Sequence, residues 1–210
     1  MISRTLINKM LWCKGGSMLV EHAEDLASFV EELQAETDRG LPLVGAALID
    51  EKLQKTLEFF FIDGKSTDRL LNDPNAPLGT FSAKIEACYS LGLIDKFEYQ
   101  EIGLIRKIRN EFAHARHGLS FENDKIKGMC ASLQSPLPDD TPKEKLTTRF
   151  RLVNAIVCLV LRLFYRPEWV EKEKREPKSW VPDSRWYNTN DKAPPKGAGF
   201  MGLVAERVDK

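Results

Sequence analysis

The sequence predicts an all-α protein, a single bundle of about six helices followed by an irregular C-terminal tail. Two observations support this fold class. Apolar residues recur at spacings of three and four along several stretches, which are bounded by glycine, proline and helix-capping residues. No segment shows the alternation of apolar and polar residues that a half-buried strand would show. We expect an N-terminal extension (1–19), a helical domain (20–166) and a tail rich in tryptophan and proline (167–210).

The first two predicted helices cover residues 20–37 and 42–62. Gly40 should end the first helix, and Pro42 suits the first turn of the second. The apolar face of the first helix contains Leu26, Phe29, Val30 and Leu33, and its acidic face contains Glu24, Glu31, Glu32 and Glu36. The second helix should be a central element, because its apolar residues are Val44, Leu48, Leu53, Leu57, Phe60 and Phe61.

The middle of the chain should form a loop and then two helices joined by a tight turn. Residues 63–78 are the loop, with one short helical turn at 68–71. The next helix follows Gly79 and Thr80 and ends at Gly92, and its apolar face comprises Phe81, Ile85, Cys88 and Tyr89. A capping box of Asp95 and Glu98 should begin the helix that runs to His114.

Two further helices are predicted in the last part of the domain. A weaker one lies near residues 123–133. The segment Thr141-Pro-Lys-Glu144 then resembles a helix start, with threonine as the cap and proline at the first position. We expect that helix to continue to Tyr165, where Pro167 should stop it. Its apolar run is too short to span a bilayer, so it is predicted to be a core helix.

Charge and cysteine content restrict the possible functions. The 31 basic and 31 acidic residues cancel, so no overall field would attract nucleic acid or an anionic membrane. The four cysteines are far apart and lack partners at metal-ligand spacing, and we therefore expect no metal ion, no cofactor and no disulfide framework. Reduced cysteines are typical of a cytoplasmic protein. Met18 could be the true start, because the domain begins just after it.

The segment 102–114 places Arg, Asn and His inside an apolar helical pattern. At about 100° per residue, Arg109 lies on the same arc as Ile102, Ile105 and Phe112. An arginine on that side needs a carboxylate or several carbonyl partners, because an unpaired buried charge is costly. Glu86 and Glu98 are the nearest candidates in the sequence.

Several motifs in order give the chain a resemblance to a known family. They are Gly45-Ala-Ala-Leu-Ile-Asp50, Leu78-Gly-Thr-Phe-Ser-Ala-Lys-Ile85, Tyr89-Ser-Leu-Gly92-Leu-Ile-Asp95, Tyr99 and Ile105-Arg-Lys-Ile-Arg-Asn-Glu-Phe-Ala-His114. With these motifs the chain resembles the mannitol operon repressor family of bacterial regulators over roughly residues 22–165. The resemblance implies an all-helical fold and a role in bacterial gene regulation, but it does not imply a mechanism.

A repressor is expected to contact DNA, so we searched the sequence for a helix-turn-helix motif. The best candidate covers residues 82–101. Its second helix would begin with the carboxylates of Asp95, Glu98 and Glu101, where a recognition helix meets phosphates. We therefore expect regulation through protein partners, either a component of the sugar phosphotransferase system or a separate DNA-binding subunit. A homodimer is expected, no membrane association is expected, and the protein is predicted not to be an enzyme.

A different class of function is suggested by Arg109, Asn110 and His114, whose pattern is similar to the Arg-x4-6-His motif of HEPN-type ribonucleases. That resemblance implies His114 as general acid or base and Arg109 as the group that stabilises the phosphorane. The helical projection separates the two side chains by about 140°, which opposes a shared site within one chain.

Two non-catalytic interpretations of the same residues remain. In the first, Arg109 pairs with a buried carboxylate, Asn110 bonds a neighbouring loop and His114 caps the end of its helix. In the second, Arg106 or Arg109 binds an anion or a small ligand. The tail offers a separate candidate surface, since tryptophan is common at protein interfaces: Trp169, Trp180 and Trp186 either anchor the tail on the bundle or bind a partner.

Overall fold

The computed structural model describes residues 20–138 and 141–178, with only the backbone described for 20–25. This part of the chain is entirely α-helical apart from loops and one short 3₁₀ helix, which confirms the predicted fold class. The eight α-helices of the described residues are α1 (Val20–Ala35), α2 (Gly40–Phe60), α3 (Lys65–Leu71), α4 (Phe81–Ser90), α5 (Lys96–His114), α6 (Asp124–Ala131), α7 (Thr148–Leu163) and α8 (Arg166–Glu171).

Helix α2 is the centre of the bundle, as its apolar content predicted. It packs against α1, α3, α4, α5, α7 and α8. Its contact with α7 is close enough to require a glycine, because a Cβ at Gly45 would lie 2.4 Å from Cδ1 of Ile156. Helix α7 is the second central element, and nearly all its residues from Leu152 to Val160 are buried. The core therefore forms between α2 and α7, with the other helices around it.

The helix starts around α4 and α5 are those that the sequence predicted. The hydroxyl oxygen of Thr80 accepts a hydrogen bond from the backbone N–H of Ala83 at the start of α4. At the start of α5, Asp95 accepts from the N–H of Glu98, and the Glu98 carboxylate accepts from the N–H of Asp95. Gly92 has a φ of 73°, which allows the tight turn between the two helices.

Two predicted helix boundaries were wrong. Gly40 begins α2 and does not end α1, which stops at Ala35. Thr141 does not cap the last long helix, because only a 3₁₀ turn at Lys143–Lys145 follows it. Helix α7 begins at Thr148, and the hydroxyl oxygen of Thr147 accepts from the N–H of Phe150. This segment contains several threonines that could cap a helix, and the local sequence pattern did not distinguish Thr147, which caps α7, from Thr141, which precedes the 3₁₀ turn.

Pro167 lies at the start of a further helix, just beyond residue 166, where the sequence predicted the end of the helical domain. Proline lacks an N–H but is tolerated in the first turn of a helix, and Pro167 stands there in α8. Because α8 packs against α2 and α7, the compact unit continues to Arg175. Residues 176–210 form a separate unit, of which the structure describes only 176–178.

Three of the four cysteines lie inside the bundle. The side chains of Cys88, Cys130 and Cys158 are buried, as predicted for Cys88 and Cys158. Cys13 and Met18 lie outside the described residues. None of the helices within the described ranges is long and apolar enough to cross a membrane.

Candidate functional site

The central charged group of the fold is Glu98, in the first turn of α5. Its side chain is fully buried. Its Oε1 accepts hydrogen bonds from Nε of Arg162 at 3.0 Å and from Nη2 of Arg166 at 2.7 Å. Arg162 also donates to Asp95 at 2.6 Å, and Arg166 donates to the carbonyl of Leu93 at 2.7 Å. This cluster fixes the end of α7 and the start of α8 to the start of α5.

Arg109 is not the partner of either predicted carboxylate. Glu98 is engaged by the two arginines of α7 and α8, and Glu86 accepts from the Tyr99 hydroxyl. Arg109 is half-buried, and its Nη1 donates to Oδ1 of Asn110 at 3.0 Å. The apolar positions of α5 are filled by isoleucines and Phe112, so Arg109 lies at the edge of that arc, where it needs no buried counter-ion.

A second buried carboxylate, Glu101, holds a loop that the sequence did not connect with α5. It accepts from the backbone N–H groups of Gln134 and Ser135 and from the Ser135 hydroxyl. Arg151 of α7 donates to the carbonyls of Leu133 and Ser135 from the other side. One feature of the sequence indicated these contacts, which was the presence of acidic residues such as Glu101 in the second helix of the candidate helix-turn-helix.

In the Arg-Asn-His stretch, the hydrogen bond among the described residues joins Arg109 to Asn110 and does not include His114. Arg109 and Asn110 are in contact, but His114 is the last residue of α5 and is exposed. Within the described residues, the His114 side chain makes no hydrogen bond. The carbonyl of Ala113 accepts instead from Arg39 at 3.1 Å, so an arginine from the α1–α2 turn contacts this helix end. Neither a hydrogen bond from His114 to the helix end nor one from Asn110 to a loop is among the contacts of the described residues, although His114 does stand in the last turn of α5.

An exposed face of α4 and α5 carries aromatic and charged side chains. The rings of Tyr89 and Tyr99 stack with centroids 4.3 Å apart, and the Tyr99 hydroxyl donates to Glu86 at 3.0 Å. This hydrogen bond, together with the negative charge of Glu86, raises the pKa of Tyr99. Tyr89 was predicted to face the core, but it is 39% exposed. Leu91 beside it is 43% exposed.

The predicted binding residues fall on different parts of the surface. Arg106 is half-buried on α5 and forms no ion pair within the described part of the chain. Trp169 is 57% exposed on α8, with the Arg166 guanidinium 5.9 Å from its ring centre. Trp180 and Trp186 lie outside the described residues. Among residues 20–138 and 141–178, no group of three or more histidine, cysteine, aspartate or glutamate side chains could hold a metal ion.

The predicted helix-turn-helix is a poor fit to DNA in the structure. The first turn of α5, which would be the recognition helix, contains the buried Glu98, and the buried Glu101 follows within the next turn. Asp95 in front of them pairs with Arg162. Carboxylates and core contacts therefore occupy the positions where a recognition helix would present cations and hydrogen-bond donors to the major groove.

Comparisons with known proteins point to one family. Residues 28–149 match the sequence model of the family described as "Mannitol repressor". The chain is 30% identical over 79 residues to the mannitol operon repressors of two strains of Escherichia coli, a match that covers 35% of this chain. It spans 40% of the length of these relatives.

The fold is similar to that in the X-ray structure of the MtlR–HPr complex from Escherichia coli. The TM-score is 0.53 at 22% sequence identity, and the alignment covers 66% of this chain and 97% of that chain. At this level of identity the likeness shows a common fold.

Proposed function

This chain belongs to the mannitol repressor family, and we propose that it is a bacterial transcriptional regulator that acts through protein partners and not by direct DNA binding. The observation that carries the proposal is the family match over residues 28–149, more than half of the chain. It agrees with the order of motifs from Gly45 to His114, on which the resemblance rested.

The electrostatics of the bundle favour a protein partner over DNA. The chain has no net charge, and carboxylates stand at the start of the helix that would enter the major groove. DNA-binding proteins neutralise phosphates with clustered lysine and arginine side chains. The strongest arginine cluster here, Arg162 with Arg166, is already paired with Glu98.

A phosphotransferase protein of the HPr type is the partner that we propose first. The support is the similar fold in a complex that contains HPr. Trp169 is our candidate contact, because exposed tryptophan is typical of interface hot spots and the Arg166 side chain lies against its ring. A separate DNA-binding subunit would then bind the operator.

We further propose that the protein is a homodimer, that it works in the cytoplasm and that it is not an enzyme. The thiols of Cys88, Cys130 and Cys158 are buried inside the bundle, and thiols of this kind suit a reducing compartment. In support, Arg109 bonds Asn110 and not His114 among the described contacts, which favours a structural role for these residues over a ribonuclease site.

Transcript measurement in the native bacterium tests the regulatory role. Deletion of this chain should raise transcription of mannitol-use genes in cells grown without mannitol, and the wild-type chain should restore repression. Trp169→Ala should restore it poorly, whereas Lys172→Ala, an exposed change on the end of the same helix, should restore it fully. Unchanged transcripts in the deletion strain would contradict the proposal.

A further inference from the structure

The exposed face of α4 and α5 has the composition of an interface. We call it the tyrosine face and define it by Glu86, Tyr89, Tyr99, Gly103 and Arg106. Tyrosine and arginine are enriched in the centres of protein interfaces, and the tyrosine face contains two tyrosines and one arginine. The two tyrosine rings are stacked, and Tyr89 is 39% exposed.

Gly103 is the unusual residue of this face. It stands in the middle of α5, where glycine is the least favourable residue apart from proline. A Cβ at this position would meet nothing within 4 Å, so packing inside the chain does not require glycine. A glycine on an exposed helix face does allow a second helix to approach closely. The stacked tyrosines begin one turn before it, and Arg106 lies one turn after it.

The tyrosine face also carries one charge of each sign. Glu86 and Arg106 form no ion pair within the described part of the chain, although Glu86 accepts from the Tyr99 hydroxyl. Along the axis of α5, Glu86 lies beside Tyr99, one turn before Gly103, and Arg106 lies one turn after Gly103. A two-fold axis through Gly103 would therefore place Glu86 of one copy opposite Arg106 of the other. The face is therefore complementary to itself, which is the requirement for an isologous contact.

We propose that the tyrosine face binds the same face of a second copy of this chain. The two α5 helices would cross in antiparallel orientation at Gly103, and Arg106 of each copy would meet Glu86 of the other. The proposal rests on the homodimer of the proposed function and adds its location. It leaves Trp169, on α8, free for a different protein.

Sedimentation of the full chain over a range of concentrations tests the location. Gly103→Gln adds a side chain where the single chain has open space, so its melting temperature should not fall. The dimer dissociation constant should rise at least tenfold, about what the loss of one interface hot spot produces. Gly128→Gln is the matched control, because Gly128 is also a helical glycine with open space, on α6. It should leave the dissociation constant unchanged.

The outcomes separate the location from the dimer itself. A wild-type chain that is monomeric at every concentration would overturn both the homodimer and its location. A wild-type dimer that Gly103→Gln leaves intact would overturn the tyrosine face and keep the homodimer.

A charge exchange tests the proposed pair across the interface. Glu86→Arg and Arg106→Glu should each weaken the dimer, since each puts like charges opposite one another. An equal mixture of the two variants should form a heterodimer, because every opposed pair then has opposite charges. A mixture that associates no better than either variant alone would overturn the pairing of Glu86 with Arg106.

Discussion

At the scale of single residues, Glu98 makes buried ion pairs and Arg109 makes none among the described residues. Glu98 pairs with two arginines from another part of the chain, while Arg109 bonds only its neighbour Asn110. The sequence indicated that an arginine and a carboxylate would pair across the core. It could not indicate which arginine, because that depends on how α7 and α8 pack against α5, a contact between residues more than sixty positions apart.

Glu98→Ala should lower the free energy of unfolding by about 3 kcal/mol, because it leaves two arginines without their buried partner. Arg109→Ala should lower it by about 1 kcal/mol or less, since one hydrogen bond on a half-buried surface is lost. Urea denaturation of both variants measures the difference. Equal losses in the two variants would mean that Arg109 has the structural role that its sequence position suggested.

The buried thiols should be unreactive in the folded protein. Burial raises the pKa of Cys88 from 9.0 to about 12 and that of Cys130 from 9.0 to about 11. The unfolded chain ionises these thiols above about pH 9 but the folded protein does not, so the stability that they contribute is lost as the pH rises from 9 towards 12.

A thiol reagent at pH 8, applied to a Cys13→Ser background, checks this prediction. We expect slow modification of Cys88 and Cys130 in the native protein and rapid modification after denaturation with guanidinium. Fast, stoichiometric labelling of the folded chain would show that these thiols are accessible.

At the scale of elements, the sequence predicted helices better than their ends. Apolar spacing placed α1, α2, α4 and α5, and the capping box fixed the start of α5 to the residue. The helix that contains Pro167 was not predicted, because proline both stops helices and starts them. The packing of α8 on α2 determines that Pro167 begins a helix, and a local sequence pattern carries no information about that packing.

The start of α7 gives a direct test of the observed cap. Thr147→Ala should lower the free energy of unfolding by about 1 kcal/mol, since the N–H of Phe150 loses its acceptor. Thr147→Ser, which keeps the hydroxyl, should cost only a small part of that. Thermal denaturation of the two variants measures the cap, and equal stability of the alanine and serine variants would show that the hydroxyl does not stabilise α7.

At the scale of the whole molecule, the sequence predicted the fold class and the family but not the arrangement of surfaces. The tyrosine face arises because α4 and α5 pack side by side, which brings Tyr89 against Tyr99. Trp169 lies on a separate surface because α8, which carries it, packs against α2 and α7. These two faces suit a regulator that binds a copy of itself and a different protein at the same time.

The most direct test is a calorimetric titration of the purified chain with HPr from its own organism, beside a binding assay with mannitol operator DNA at physiological salt. We expect saturable binding of HPr, weakened at least tenfold by Trp169→Ala and unchanged by Lys172→Ala. No specific binding to the operator is expected. Specific binding of the chain alone to the operator, with no heat from HPr, would contradict regulation through a protein partner.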